Sequence, residues 1–212
     1  MQEKEKQEMG RQEKKNNQII LFGGTFDPPH LGHLIIAEQA REQLGCDYLL
    51  LMPAGIPPHK QTGSVSPAEI RLEMLDRAVD DNPGLVVSRY ELERSGASYT
   101  ARTLRHFLKR FAGVLLIIGA DSLAEIFTWR EPEFILARSR LLVAPRPGYD
   151  IGELLKQESL QDYRENIVPL DTGLMEISSS QIRKRAGGGQ SLRYLVPEPV
   201  REYIREQGLY ER

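Results

Sequence analysis

What constrains this chain most is an alternation that sets in at Ile19: short, continuously apolar runs separated by segments whose apolar residues recur every three or four positions. The runs over residues 18–22, 48–52, 85–88, 114–118, 141–144 and 166–170 are too short for buried helices and carry too few polar residues for half-exposed strands. They predict parallel strands covered on both faces. Between them, Leu34, Ala37, Ala40 and Leu44 repeat at helical spacing, and Gly45 follows as a stop signal. A second helix opens at Ser66-Pro67-Ala68-Glu69, with Ser66 as cap, Pro67 in the first helical position and Glu69 closing a capping box. It ends near Asp80, before Asn82-Pro83-Gly84. A third is predicted over residues 100–111, and shorter ones follow Asp121 and Pro132.

Strand and helix in strict alternation specify an α/β fold, a Rossmann-like doubly wound parallel sheet in a single domain over residues 19–212. Such sheets take ligands at the carboxyl ends of their strands, so chemistry is sought there. Residues 1–18 stand apart, almost wholly Glu, Lys, Gln, Arg and Asn with no apolar stripe, and read as a solvated tail. The 28 basic residues nearly balance the 30 acidic ones, which removes the electrostatic case for nucleic acid or membrane surface as partner. The longest apolar run falls far short of the roughly 20 residues a bilayer helix needs. With one cysteine, Cys46, no internal disulfide forms, and with no apolar leader before Ile19 a cytoplasmic location is expected.

Directly after the first strand stands Gly23-Gly24-Thr25-Phe26-Asp27-Pro28-Pro29-His30-Leu31-Gly32-His33, running into the first helix. A glycine-rich turn lets backbone N–H groups approach an anion, and the helix N-terminus adds orphan donors and a favourable dipole. The pattern is neither G-x-G-x-x-G nor G-x-x-x-x-G-K-[ST], so dinucleotide-binding and P-loop enzymes are not indicated. Instead, His30 and His33 share one face of the helix's first turn, with Gly32 keeping that turn open to a ligand. Two imidazoles suit the charge that builds on phosphoryl oxygens during transfer, since histidine can carry charge near neutral pH. A capping role is the bland alternative. A zinc pair would need a third ligand, and neither His59, His106 nor any Cys or HExxH pattern supplies one, so no resident metal is expected.

A second anion site is suggested by Ile177-Ser178-Ser179-Ser180-Gln181-Ile182-Arg183. Ser178 caps a helix, Gln181 closes a capping box, and Arg183 can grip phosphate through its guanidinium fork. Pro57-Pro58-His59-Lys60 follows the second strand, Ser98-Tyr99-Thr100 opens the third helix, and Asp121 and Trp129-Arg130 follow the fourth strand. Trp129 is either a stacking surface for a planar ring or a core residue. Asp121 either accepts from ribose hydroxyls or caps the helix beginning there.

GGTFDPPHLGH resembles the signature of the HxGH nucleotidyltransferases, and ISSSQIR resembles their ISSTxIR motif, with Ser180 in place of threonine. From Ile19 to about Leu209 the chain is similar to the bacterial nicotinate-nucleotide adenylyltransferases, departing from them at Pro29. The resemblance implies transfer of the adenylyl group of ATP to nicotinate mononucleotide, giving deamido-NAD and pyrophosphate in NAD biosynthesis, with magnesium (Mg2+) carried on ATP. It implies His30 and His33 at the triphosphate, with His33 stabilising the transition state, over a floor of Gly23, Gly24, Thr25 and Phe26. Ser179, Ser180 and Arg183 would face the β- and γ-phosphates. Thr100, Trp129 and Arg130 would hold the nicotinate, and Lys60 and Asp121 would serve phosphate and ribose. The rivals are the same chemistry on nicotinamide mononucleotide or another phosphate acceptor, and a non-catalytic nucleotide sensor on the same fold. Beyond these substrates no partner is implied, and a homo-oligomer is left open.

Overall fold

The computed structural model describes residues 17–57 and 65–211. The tail through Asn16 and residues 58–64, Lys60 among them, in the loop between the second strand and second helix therefore lie outside the described residues. The elements run β1 (Gln18–Gly24), α1 (Leu31–Gln43), β2 (Leu49–Pro53), α2 (Ala68–Val79), β3 (Leu85–Val87), α3 (Thr100–Phe107), β4 (Gly113–Gly119), α4 (Ala120–Ala124), α5 (Pro132–Arg138), β5 (Arg140–Ala144), α6 (Ile151–Leu154), β6 (Ile167–Pro169), α7 (Ser179–Gly187) and α8 (Glu198–Glu206). Every predicted strand is present.

The strands form one parallel sheet in the order β3-β2-β1-β4-β5-β6. Alternate strand residues feed opposite faces. Ile20, Phe22, Leu49 and Leu51 pack with α1, α2, α7 and α8, while Ile19, Leu21, Leu50 and Leu116 pack with α3 and α5. This double burial is why the strands read as unbroken apolar runs; each fully buried aliphatic side chain contributes about 1.5–3 kcal/mol. Because the chain leaves β1 in one direction for β2 and β3 and in the other for β4 to β6, a crevice opens between the carboxyl ends of β1 and β4.

Two helix starts differ from expectation. The second helix begins at Ala68 with Pro67 at its N-cap and no side-chain cap. Ser66 is drawn into the preceding loop, its N–H donating to Asp27 and its carbonyl accepting from Arg71. Asp121 does not cap α4, which starts one residue earlier behind Gly119. The third helix ends at Phe107, and Phe111 reaches the core from a following turn. Ser178 caps α7 as expected, accepting from the Gln181 N–H at 3.2 Å, but the Gln181 side chain does not return the bond that would close a capping box.

Candidate active site

The histidine motif folds into a reciprocal cap. His30 is the N-cap of α1, its Nδ1 accepting from the His33 N–H at 3.3 Å, while His33 Nδ1 accepts from the His30 N–H at 3.2 Å. The rings stack with centroids 3.6 Å apart. Gly32 makes room for this stack, since a Cβ there would meet the His30 ring at 3.1 Å. Capping and a phosphate role are thus compatible. With Nδ1 of each ring committed to a backbone donor, the neutral ring carries its proton on Nε2, leaving an N–H edge for the cleft. Burial, aided by the nearby Arg146 cation, lowers the pKa of His30 to about 4. His33 is also held well below its ordinary value, by burial first and then by His30 and Arg146. Both rings are therefore neutral at pH 7.

The backbone beneath them is fixed from several sides. Phe26, at φ 51°, is buried and sets its ring edge-on to His33 at 5.0 Å. Arg71, only 1% exposed, donates to three carbonyls: Thr25 at 2.9 Å, Gly55 at 3.1 Å and Ser66 at 3.0 Å. The Asp27 carboxylate accepts from the Ser66 N–H at 3.0 Å and from the Tyr210 hydroxyl at 2.6 Å. Ser179 Oγ donates to Pro28 O at 2.9 Å and Arg183 Nη1 to Asp27 O at 2.7 Å, so the second motif clamps the first. Arg183 also donates to Ser180 Oγ at 3.3 Å.

An open cleft of about 360 Å³ brings together His30, His33, Asp121, Ser179 and a residue the sequence reading missed, Arg146. Arg146 Nε is buried without a hydrogen-bond partner among the described residues and lies 3.8 Å from Asp121. Its place just past the carboxyl end of β5 was the available signal. Ser180 and Arg183 stand behind this cleft rather than in its wall.

A second recess, of about 120 Å³ and mostly apolar, lies over the ends of β1, β2 and β4. Gly23, Gly24, Thr100 and Trp129 border it together with Ser98, at the entry to the third helix, and Glu91, a further residue the sequence did not single out. Trp129 also borders an adjoining recess with Thr100 and Arg130. The Arg130 guanidinium sits 5.0 Å over the Tyr99 ring. The N-terminus of α3 has no side-chain cap, so its first-turn donors are not consumed by one. Among the described residues no group of three or more His, Cys, Asp or Glu is placed to hold a metal ion, and no helix is long and apolar enough to cross a membrane.

Residues 21–185 match the cytidylyltransferase-like family model. A Desulfitobacterium hafniense protein described as a probable nicotinate-nucleotide adenylyltransferase is 44% identical over 197 residues, covering 91% of this chain and 95% of its own length. A Clostridium botulinum protein of the same description is 40% identical over 193 residues, covering 90% and 96%. Among solved structures, a Plasmodium falciparum nicotinic acid mononucleotide adenylyltransferase complexed with NaAD shares the fold with TM-score 0.75 at 18% identity, over 91% of this chain and 97% of that one.

Proposed function

Since this chain belongs to the cytidylyltransferase-like family and to the nicotinate-nucleotide adenylyltransferases within it, we propose that its histidine-lined cleft and Trp129 recess are the two halves of one adenylyl-transfer site. The enzyme joins ATP and nicotinate mononucleotide: a phosphate oxygen of the acceptor bonds to the α-phosphorus, the bond to the β-phosphate bridging oxygen breaks, and pyrophosphate leaves with that electron pair. The protein's contribution is position and charge.

The observation that carries the assignment is the locked histidine pair beside an underbonded arginine. Nε2–H groups of His30 and His33 donate to oxygens of the transferred phosphate, and Arg146 supplies the positive charge that two neutral imidazoles lack. A bound triphosphate opposes Arg146 electrostatically and raises both histidine pKa values toward neutrality. Ser179 at the N-terminus of α7 binds the outgoing phosphates, while Ser180 and Arg183 hold the loop that carries the histidines from behind. Gly23, Gly24, Thr25 and Phe26 shape the floor, Phe26 from behind.

On the acceptor side, Trp129 stacks on the nicotinate ring, Thr100 and Arg130 receive its carboxylate, and Asp121 and Lys60 serve ribose and phosphate. Magnesium fits as an ion held mainly by triphosphate oxygens and water, because it needs only one or two carboxylates and the cleft offers Glu176. Bound there, it neutralises phosphate charge. We read residues 19–212 as the catalytic unit and residues 1–18 as dispensable to it, in a soluble cytoplasmic protein. Pyrophosphate release from ATP with each acceptor in turn tests the assignment: nicotinate mononucleotide should support turnover, and release that is independent of any acceptor would contradict it.

A further inference from the structure

Glu91 lies in the segment after β3, yet its side chain reaches the recess lined by Thr100 and Trp129. It gathers two hydroxyls. Thr103 Oγ1, in the first turn of α3, donates to Glu91 Oε1 at 2.5 Å, and the Ser98 hydroxyl lies near enough to the same carboxylate to favour its ionised form. Ser98 is bonded to the segment leaving β2: its Oγ accepts from the Gly55 N–H at 2.9 Å, and its own N–H donates to Ile56 O at 2.9 Å. The packing behind these bonds is close, since a Cβ on Gly55 would meet the Glu91 carbonyl oxygen at 2.5 Å. Glu91 therefore links the segment leaving β2 to the start of α3, through its carbonyl against Gly55 and its carboxylate against Thr103. Ala54 of that segment and Thr100 of α3 both border the recess. No residue of this network borders the histidine cleft.

We propose that Glu91 is a positioning residue for the acceptor: through Ser98 and Thr103 it fixes the spacing between the Gly55–Ile56 segment and the N-terminus of α3, and so sets the affinity for nicotinate mononucleotide without touching the ATP half. The inference rests on the acceptor reading above. A carboxylate suits the task because its two oxygens can serve both hydroxyls at once, leaving Ser98 Oγ free to accept from Gly55. Burial pushes the Glu91 carboxyl up, while the Thr103 and Ser98 hydroxyls and the Arg102 cation oppose that shift. The same hydroxyls that hold the two segments thus also favour the ionised form.

The test measures KM for each substrate in Glu91→Ala and Glu91→Gln, together with nicotinate mononucleotide binding followed by Trp129 fluorescence in the absence of ATP. Glu91→Ala should weaken acceptor binding by about tenfold to a hundredfold, as the Thr103 hydroxyl loses its acceptor and Ser98 its neighbouring carboxylate. Its KM for ATP should stay within about twofold. Glu91→Gln, which still accepts through its amide oxygen, should recover most of the loss. Should Glu91→Ala not fold, Ser98→Ala removes the side-chain bond to Gly55 and must raise KM in the acceptor-selective way. Equal rises for both substrates, or unchanged acceptor binding, would overturn the proposal. A wild-type enzyme that neither binds nor turns over nicotinate mononucleotide would overturn the acceptor reading instead, and the inference with it.

Discussion

The histidine cleft and the Trp129 recess share the carboxyl end of one sheet but are built by opposite means. Around the cleft the backbone is pinned from afar: Arg71 on α2 holds Thr25, Tyr210 holds Asp27 across 183 residues of sequence, and Ser179 and Arg183 on α7 hold Pro28 and Asp27. Around the recess most of the lining is apolar strand-end surface, and the polar contacts converge on one carboxylate, Glu91. On the proposed function, the difference follows from the two tasks. Stabilising charge on a transferring phosphate requires donors fixed before the reaction begins. Recognising a planar ring requires a shaped apolar slot with a few well-placed polar groups.

The most disruptive way to break this contrast is Arg71→Met. It leaves three half-buried carbonyls without a donor, about 3 kcal/mol and a fall in Tm of about 6–12 °C. Thermal unfolding checks it, and a fall under 2 °C would show that the pinning is dispensable. Next in size is the selectivity of the recess. Nicotinamide mononucleotide turns an NH₂ toward donors that suit a carboxylate, so kcat/KM at fixed ATP should favour the acid by roughly a hundredfold. Equal values would remove acid recognition from Thr100 and Arg130 while leaving adenylyl transfer in place.

Acid should destabilise the folded protein through the histidine pair. His30 titrates near pH 4 in the folded protein and near 6.5 when unfolded, so between those values the unfolded chain binds more protons and stability falls as pH falls. At pH 5 the loss from His30 is about 2 kcal/mol, with His33 adding in the same direction. Melting curves from pH 7 to pH 5 should show it, and saturating ATP should diminish it; a flat profile without ligand would contradict the neutral, buried rings. The smallest effect is expected of Tyr210→Phe, which deletes one hydroxyl bond to Asp27, about 1 kcal/mol. It should raise KM for ATP a few-fold and leave KM for the acceptor unchanged, a split that two-substrate kinetics can resolve.

The contrast also explains what could be read from the sequence. Double burial makes β1, β2 and β4 continuous apolar runs, and a strand-to-helix turn with two histidines around a glycine is a local pattern, so the sheet and the cleft's centre were legible. The pinning residues were not. Arg71 sits between Ile70 and Leu72 in a helix with several charged neighbours, and nothing nearby in sequence marks it as buried under three carbonyls. Glu91 acquires meaning only when Gly55 is brought against it across the sheet edge. Ser66 shows the converse: its local pattern is a good helix cap, but Asp27 and Arg71 claim its backbone and the helix starts one step later. Long-range hydrogen bonds overrode the local preference.

The central claim is that the neutral, backbone-locked histidines act on the transition state rather than on ATP binding, and His33→Ala tests it most directly. ATP affinity by calorimetry should remain within about threefold of wild type, while single-turnover pyrophosphate release at saturating substrates should fall by about a hundredfold or more. A variant that loses ATP affinity in proportion to its rate, or that keeps its rate, would contradict the account.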